Sequence, residues 1–337
     1  MSDDKRYDVV CVGSATEDVF LQVSDTRIIR IEERDEDHAF LALEYGAKIG
    51  VEGVLHDTGG GATNTAVTFS RMGLRTAIAC KVGDDSPGQR VIEAMQGVAV
   101  DTTGVLRDPS HCTAFSAILT GFTGDRTILV YRGASSELRA DELDWDVLRS
   151  THWVYMNALS GASAETFLRV AEFCGQEGIK LAINPGSAQR AGGLEGLRPA
   201  LRWTEVLFVN RSEAYEITGV EPNRGPDDER TMLKMLRAAG AGAVVMTYGS
   251  EGSEGMDAEG YYRIGCYPVE VVSTVGAGDA CASACVVALH AGKSLLEAMK
   301  IGSANAASVV QSFGAKSGIL TWEQAEAYVR EHPIETR

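Results

Sequence analysis

Short apolar, β-branched runs recur through the second half of the chain, separated by stretches of helical period. Trp153-Val154-Tyr155-Met156, Lys180-Leu181-Ala182-Ile183, Val206-Leu207-Phe208-Val209 and Ala243-Val244-Val245-Met246 each read as a buried strand. A strand that is apolar on both sides needs cover on both faces. Its alternation with helices predicts a parallel sheet clad by helices above and below. Residues 7–13 and 75–82 add two further core strands, and residues 62–72 form a helix between them. The ligand of such a sheet lies at the carboxyl ends of its strands.

The segments 19–23, 40–43 and 50–55, then 113–119 and 127–132, do not continue this pattern. They predict a small β-sheet standing off the main one as a lid, formed by inserts at about 19–56 and 112–133. The second insert turns at Thr123-Gly124-Asp125. No repeat, low-complexity tract or long linker divides the rest. Residues 1–337 therefore read as a single domain, a three-layer α/β/α sandwich with a mostly parallel central sheet plus the lid.

Charge narrows the range of partners. The chain carries a net charge of −16, which argues against DNA, RNA or an anionic membrane surface as a partner. An anionic ligand must then be caught by local amides, a metal ion or single arginines. The seven cysteines form no CxxC pair and read as reduced thiols. Residues 1–6 lack an apolar signal core and no run of eighteen apolar residues follows, so a cytoplasmic protein is expected.

Candidate chemistry concentrates in Ser273-Thr274-Val275-Gly276-Ala277-Gly278-Asp279, where a β-rich segment (266–272) meets a glycine turn and then a helix. Amides at a helix start lack intrahelical partners and attract phosphate. Asp279 would repel a bound phosphate, but it suits a base that takes a proton from an attacking hydroxyl. A helix-capping aspartate is the plainer alternative. Other polar residues fall at strand ends: Asp18, Asn64 after Gly59-Gly60-Gly61, Asn184, Asn210 with Glu213, and Thr247 ahead of Gly249 and Gly252. Each of these also reads singly as a turn or cap residue.

Taken in order, these segments resemble the ribokinase (PfkB-type) family of sugar and nucleoside kinases over roughly residues 7–320. Gly59-Gly60-Gly61-Ala62-Thr63-Asn64 is similar to the N-terminal signature, and residues 273–284 to the C-terminal one. The resemblance implies ATP-dependent phosphorylation of a small sugar or sugar acid, with a nucleoside as the alternative acceptor. A non-catalytic sugar or nucleotide sensor on the same fold is the reading from another class.

In the roles it implies, Asp279 is the general base and the turn Gly276-Ala277-Gly278 is the anion hole. Asp18, Asn64 and Gly59, Gly60 and Gly61 grip sugar hydroxyls, with Phe115 either stacking on the acceptor or packing within the lid. Asn210 and Glu213 organise Mg²⁺ through water, joined by Asn184. Thr247, Gly249, Gly252 and Thr274 line the triphosphate, and Asn305 and Gly314 border the adenine. Many relatives carry Asp where this chain has Ser273, and that Asp often ligates an activating potassium ion. Its replacement argues against dependence on a monovalent cation. The resemblance also implies a homodimer formed through the lid.

Overall fold

The computed structural model describes residues 5–23, 27–32, 37–120, 126–221 and 228–336. Among these, nine strands form one sheet. Their order is Tyr261–Ile264, Ser253–Met256, Ala243–Thr247, Val206–Asn210, Lys180–Ile183, Thr151–Met156, Tyr7–Val12, Thr76–Gly83 and Asp101–Asp108. Neighbours pair in parallel except at one edge, where the strands Ser253–Met256 and Tyr261–Ile264 run antiparallel.

The apolar runs are continuous because each strand feeds two cores. Val9 and Cys11 pack with the helices Gly61–Arg71, Ala277–His290 and Leu295–Val309. Val10 and Val12 point the other way, toward the helices Ala164–Glu177, Gly193–Leu201 and Asp228–Ala238. Each fully buried Val, Leu or Ile contributes about 1.5–3 kcal/mol. The result is the expected three-layer α/β/α sandwich.

From Tyr7–Val12 the chain adds strands in one direction, then returns to Thr151–Met156 and adds them in the other. The strand order reverses between these two neighbours, and the crevice at such a point is where open α/β sheets hold ligands.

Residues 266–272 depart from expectation. They form no strand, because Pro268 interrupts the run and the amides of Val272 and Ser273 both donate to the carbonyl of Val310. Val271 and Val272 are consequently left exposed.

The second, four-stranded sheet has the order Val51–Gly59, Thr16–Val23, Ala114–Thr120, Arg126–Tyr131, and a ribbon pairs Arg27–Glu32 with Asp37–Ala42. The expected turn Thr123-Gly124-Asp125 lies outside the described residues. Glu17, buried in this lid, pairs with Arg90 of the helix Ser86–Gly97 and so ties the lid to the main body. Among the described residues no helix is long and apolar enough to cross a membrane.

Candidate active site

The helix Ala277–His290 starts at Gly276, whose φ of 76° is left-handed backbone that favours glycine. A Cβ there would sit 2.6 Å from that of Ala315, so the loop around Ala315 seals one side of the turn. Gly278, by contrast, meets open space: a Cβ added to it would find nothing within 4 Å. The Ala277 amide donates to the Thr274 carbonyl at 3.4 Å, which leaves the amides of Gly278 and Asp279 as the first-turn donors beside that space, a pattern that suits an anion.

Asp279 follows in the same turn. Asn64 donates from Nδ2 to its Oδ2 at 2.9 Å, and Asn157 from Nδ2 to its Oδ1 at 3.5 Å. Burial raises its pKa from 3.8 to about 6, and the hydrogen bond from Asn64 acts in the opposite direction. The carboxylate remains half-buried, so it keeps access to the cleft.

The triple glycine exists for close approach. A Cβ on Gly59 would lie 1.9 Å from Oδ2 of Asp18, and one on Gly61 would lie 2.7–2.8 Å from the side chain of Asn157. Asp18, the start of the helix bearing Asn64, and Asn157 thereby close around one point. Oδ1 of Asn64 is buried with no hydrogen-bond partner among the described residues. An acceptor left in that condition suits an incoming hydroxyl.

The strand ends supply the neighbouring cleft, of about 240 Å³. Asn184, Asn210, Glu213 and Thr247 meet Gly276, Gly278 and Asp279 there. Asn210 and Glu213 also form a reciprocal helix cap. The Asn210 amide donates to Glu213 Oε2, and the Glu213 amide donates to Asn210 Oδ1, both at 2.9 Å. Arg190 holds Oε1 of Glu213 at 3.1 Å. Burial raises the Glu213 pKa against these contacts. The plain capping reading and the cleft reading of this pair therefore hold together.

Other expected residues are not among those that line this cleft. Gly249 opens a short 3₁₀ turn, and Gly252 packs against the carbonyl of Ile264. Thr274 is exposed at the turn. Asn305 is fully buried and its amide is used within the fold, donating to the Ala280 carbonyl and accepting from the Leu320 amide, both at 2.9 Å. A Cβ on Gly314 would lie 3.3 Å from Oδ2 of Asp57, which sets it against the lid.

Phe115 requires a correction. Pairing sets Ser116 opposite Asp18 and Phe115 opposite Glu17. Successive strand residues face opposite ways, so Ser116 shares the face of Asp18 and Phe115 lies on the far side.

Three residues escaped the sequence reading. Asn157 follows the strand Thr151–Met156, the same strand-end signal that marks Asn184 and Asn210. Asp57 pairs across the lid with Asp18. Lys316 places Nζ 3.3 Å from Oδ1 of Asp57 and 2.6 Å from Oγ1 of Thr58. Nothing local in the sequence marks the last two as neighbours of Asp18.

The model of the pfkB family carbohydrate kinases matches residues 17–322. A nucleoside kinase of Methanothermobacter thermautotrophicus is 27% identical over 321 residues, covering 95% of this chain and 94% of that protein. A 5-dehydro-2-deoxygluconokinase of Halalkalibacterium halodurans is 26% identical over 282 residues, 80% of this chain and 85% of the relative. The structure of Arabidopsis thaliana ribokinase complexed with ribose and ATP matches with a TM-score of 0.80 at 20% identity, over 96% of this chain and 99% of that one. With a family match that spans most of its length, the chain belongs to the pfkB family of carbohydrate kinases and is a phosphotransferase with an alcohol group as acceptor.

Proposed function

We propose that this chain transfers the γ-phosphoryl group of ATP to a hydroxyl of a small sugar or sugar acid, with Asp279 as general base. One observation carries the reading: a carboxylate held by Asn64 and Asn157 in the first turn of a helix whose start opens on a cleft. Asp279 accepts the hydroxyl proton, and burial makes it a stronger base than an exposed aspartate. Asp18 and the unpartnered Oδ1 of Asn64 offer acceptors to the remaining hydroxyls.

The open space over Gly278 and the polar cleft beside it fit a triphosphate with its magnesium ion. Amides of Gly276 to Gly278 and the side chain of Thr247 would hold phosphate oxygens, and Asn184, Asn210 and Glu213 would hold the ion's water shell. When bound, MgATP supplies the phosphoryl group and the divalent charge that screens it. Ser273 offers a hydroxyl where a carboxylate would hold a monovalent cation, so dependence of turnover on potassium is reduced or absent.

Apolar side chains left open on the lid, among them Val54 and Leu129 with more than half their surface exposed, support a homodimer through that sheet. A nucleoside acceptor is the second reading, favoured by the nucleoside kinase relative that this chain matches over 95% of its own length. A screen of pentoses, hexoses, sugar acids and nucleosides for acceptor-dependent ADP release tests the proposal. No release with any of them refutes it.

A further inference from the structure

Charge on the lid side of the site is uneven. Asp18 and Asp57 are directly paired across two strands, and Asp279 closes the site from below. Against these three carboxylates the described residues set one ammonium, that of Lys316. Its side chain is only 12% exposed, and its donors already serve Asp57 and Thr58. Burial lowers its pKa, and the carboxylates of Asp57 and Asp18 counter that. The guanidinium of Arg90 is committed to Glu17, whose place on its strand faces away from Asp18. Arg132 is exposed just beyond the strand Arg126–Tyr131, the edge of the lid farthest from Asp57.

We infer that the acceptor range proposed above narrows to its uncharged members, free sugars and nucleosides, because the Asp57–Lys316 pair beside Asp18 excludes sugar acids and sugar phosphates. This rests on the kinase reading of the same site. The physical reason is that Lys316 is already neutralised. A carboxylate on the acceptor would meet Asp18 and Asp57 with no free cation among the described residues to oppose them, and like charges brought together across an interface are strongly disfavoured. Hydroxyls suffer no such penalty, because the carboxyl oxygens of Asp18 and Asp57 accept from them and Asn64 keeps an unused acceptor. A single lysine therefore does not make this an acid-binding site. Its work is to hold Asp57 and cap the edge of the lid.

The test uses the full chain and two independent readouts: calorimetric binding and acceptor-dependent ADP release. Matched pairs serve as probes, ribose with ribonate, glucose with glucuronate, and adenosine as a further neutral ligand. Neutral members are expected to bind at least about 100-fold more tightly than their acids. Asp57→Asn frees Lys316 and is expected to narrow that ratio by about tenfold or more, while Lys316→Gln widens it. Arg132→Ala should leave the ratio unchanged.

Tighter binding of any acid than of its neutral partner overturns the inference. So does a ratio that Asp57→Asn does not alter, or acid binding that Arg132→Ala abolishes. Failure of every probe to bind overturns it as well, since Asp18 and Lys316 would then border no acceptor site. Selective neutral binding without ADP release supports the inference and sinks the kinase reading instead.

Discussion

Replacing Asp279 by Asn should separate stability from turnover. Burial holds its carboxyl near pH 6 against an ordinary 3.8, so the folded chain binds a proton there more readily than the unfolded one. Between about pH 4 and 6 the native state thus carries the extra proton, and stability falls as pH rises through that window. Above it the ionised carboxylate costs about 3 kcal/mol, from two pH units at about 1.36 kcal/mol each. Asn keeps the shape of the protonated acid and has no charge to desolvate. Its amide would set a donor against Nδ2 of Asn157, which lies 3.5 Å from Oδ1, offsetting about 1 kcal/mol.

A net gain of about 2 kcal/mol at pH 8 raises Tm by roughly 3 °C in a chain of this length. Scanning calorimetry from pH 4.5 to 8 should show the variant above the parent at pH 8 and the two converging at pH 4.5. The same protein should turn over about 10³-fold more slowly. Near-normal kcat, or a Tm difference that ignores pH, would refute the assignment of Asp279 as a buried base.

Three further outcomes follow from the site. Since the base must be ionised, kcat/KM should rise with pH through about 6 and level off above it; a profile that falls over pH 5–7 contradicts this. Asn157→Ala removes a donor to Asp279 and should lower kcat about tenfold with little change in KM, whereas a change confined to KM would make Asn157 a binding residue instead. Gly276→Ala forces a side chain into a left-handed position and onto Ala315; it should cost at least about 2 kcal/mol of stability and abolish activity, and an active, fully stable variant would show that the turn is not held there.

Local chemistry in the sequence was enough to mark the glycine turn, the triple glycine and the strand-end asparagines, because each is dictated by neighbours within a few residues. The order of the strands was not, since apolar runs alike on both faces do not say which run lies beside which. Asn157 illustrates this: its strand-end position is a sequence signal, but its place against Asp279 appears only once the strand Thr151–Met156 stands next to Tyr7–Val12. Phe115 shows the other limit, where one residue of register decides which face a side chain takes. Residues 266–272 had the composition of a strand, but Pro268 interrupts them and the amide of Val272 went to the carbonyl of Val310 instead. Lys316 and Asp57 lie 259 positions apart in the chain, and only the folded lid brings them together.

The segment from Phe313 to Lys316 touches both halves of the molecule: Ala315 backs Gly276, while Phe313 meets Phe20 edge-on and Lys316 grips Asp57. Four consecutive positions thereby answer to two masters. A change there that loosens the hold on the lid also disturbs the peptide groups of the glycine turn, so the fit of the lid and the shape of the turn are inherited as a single trait.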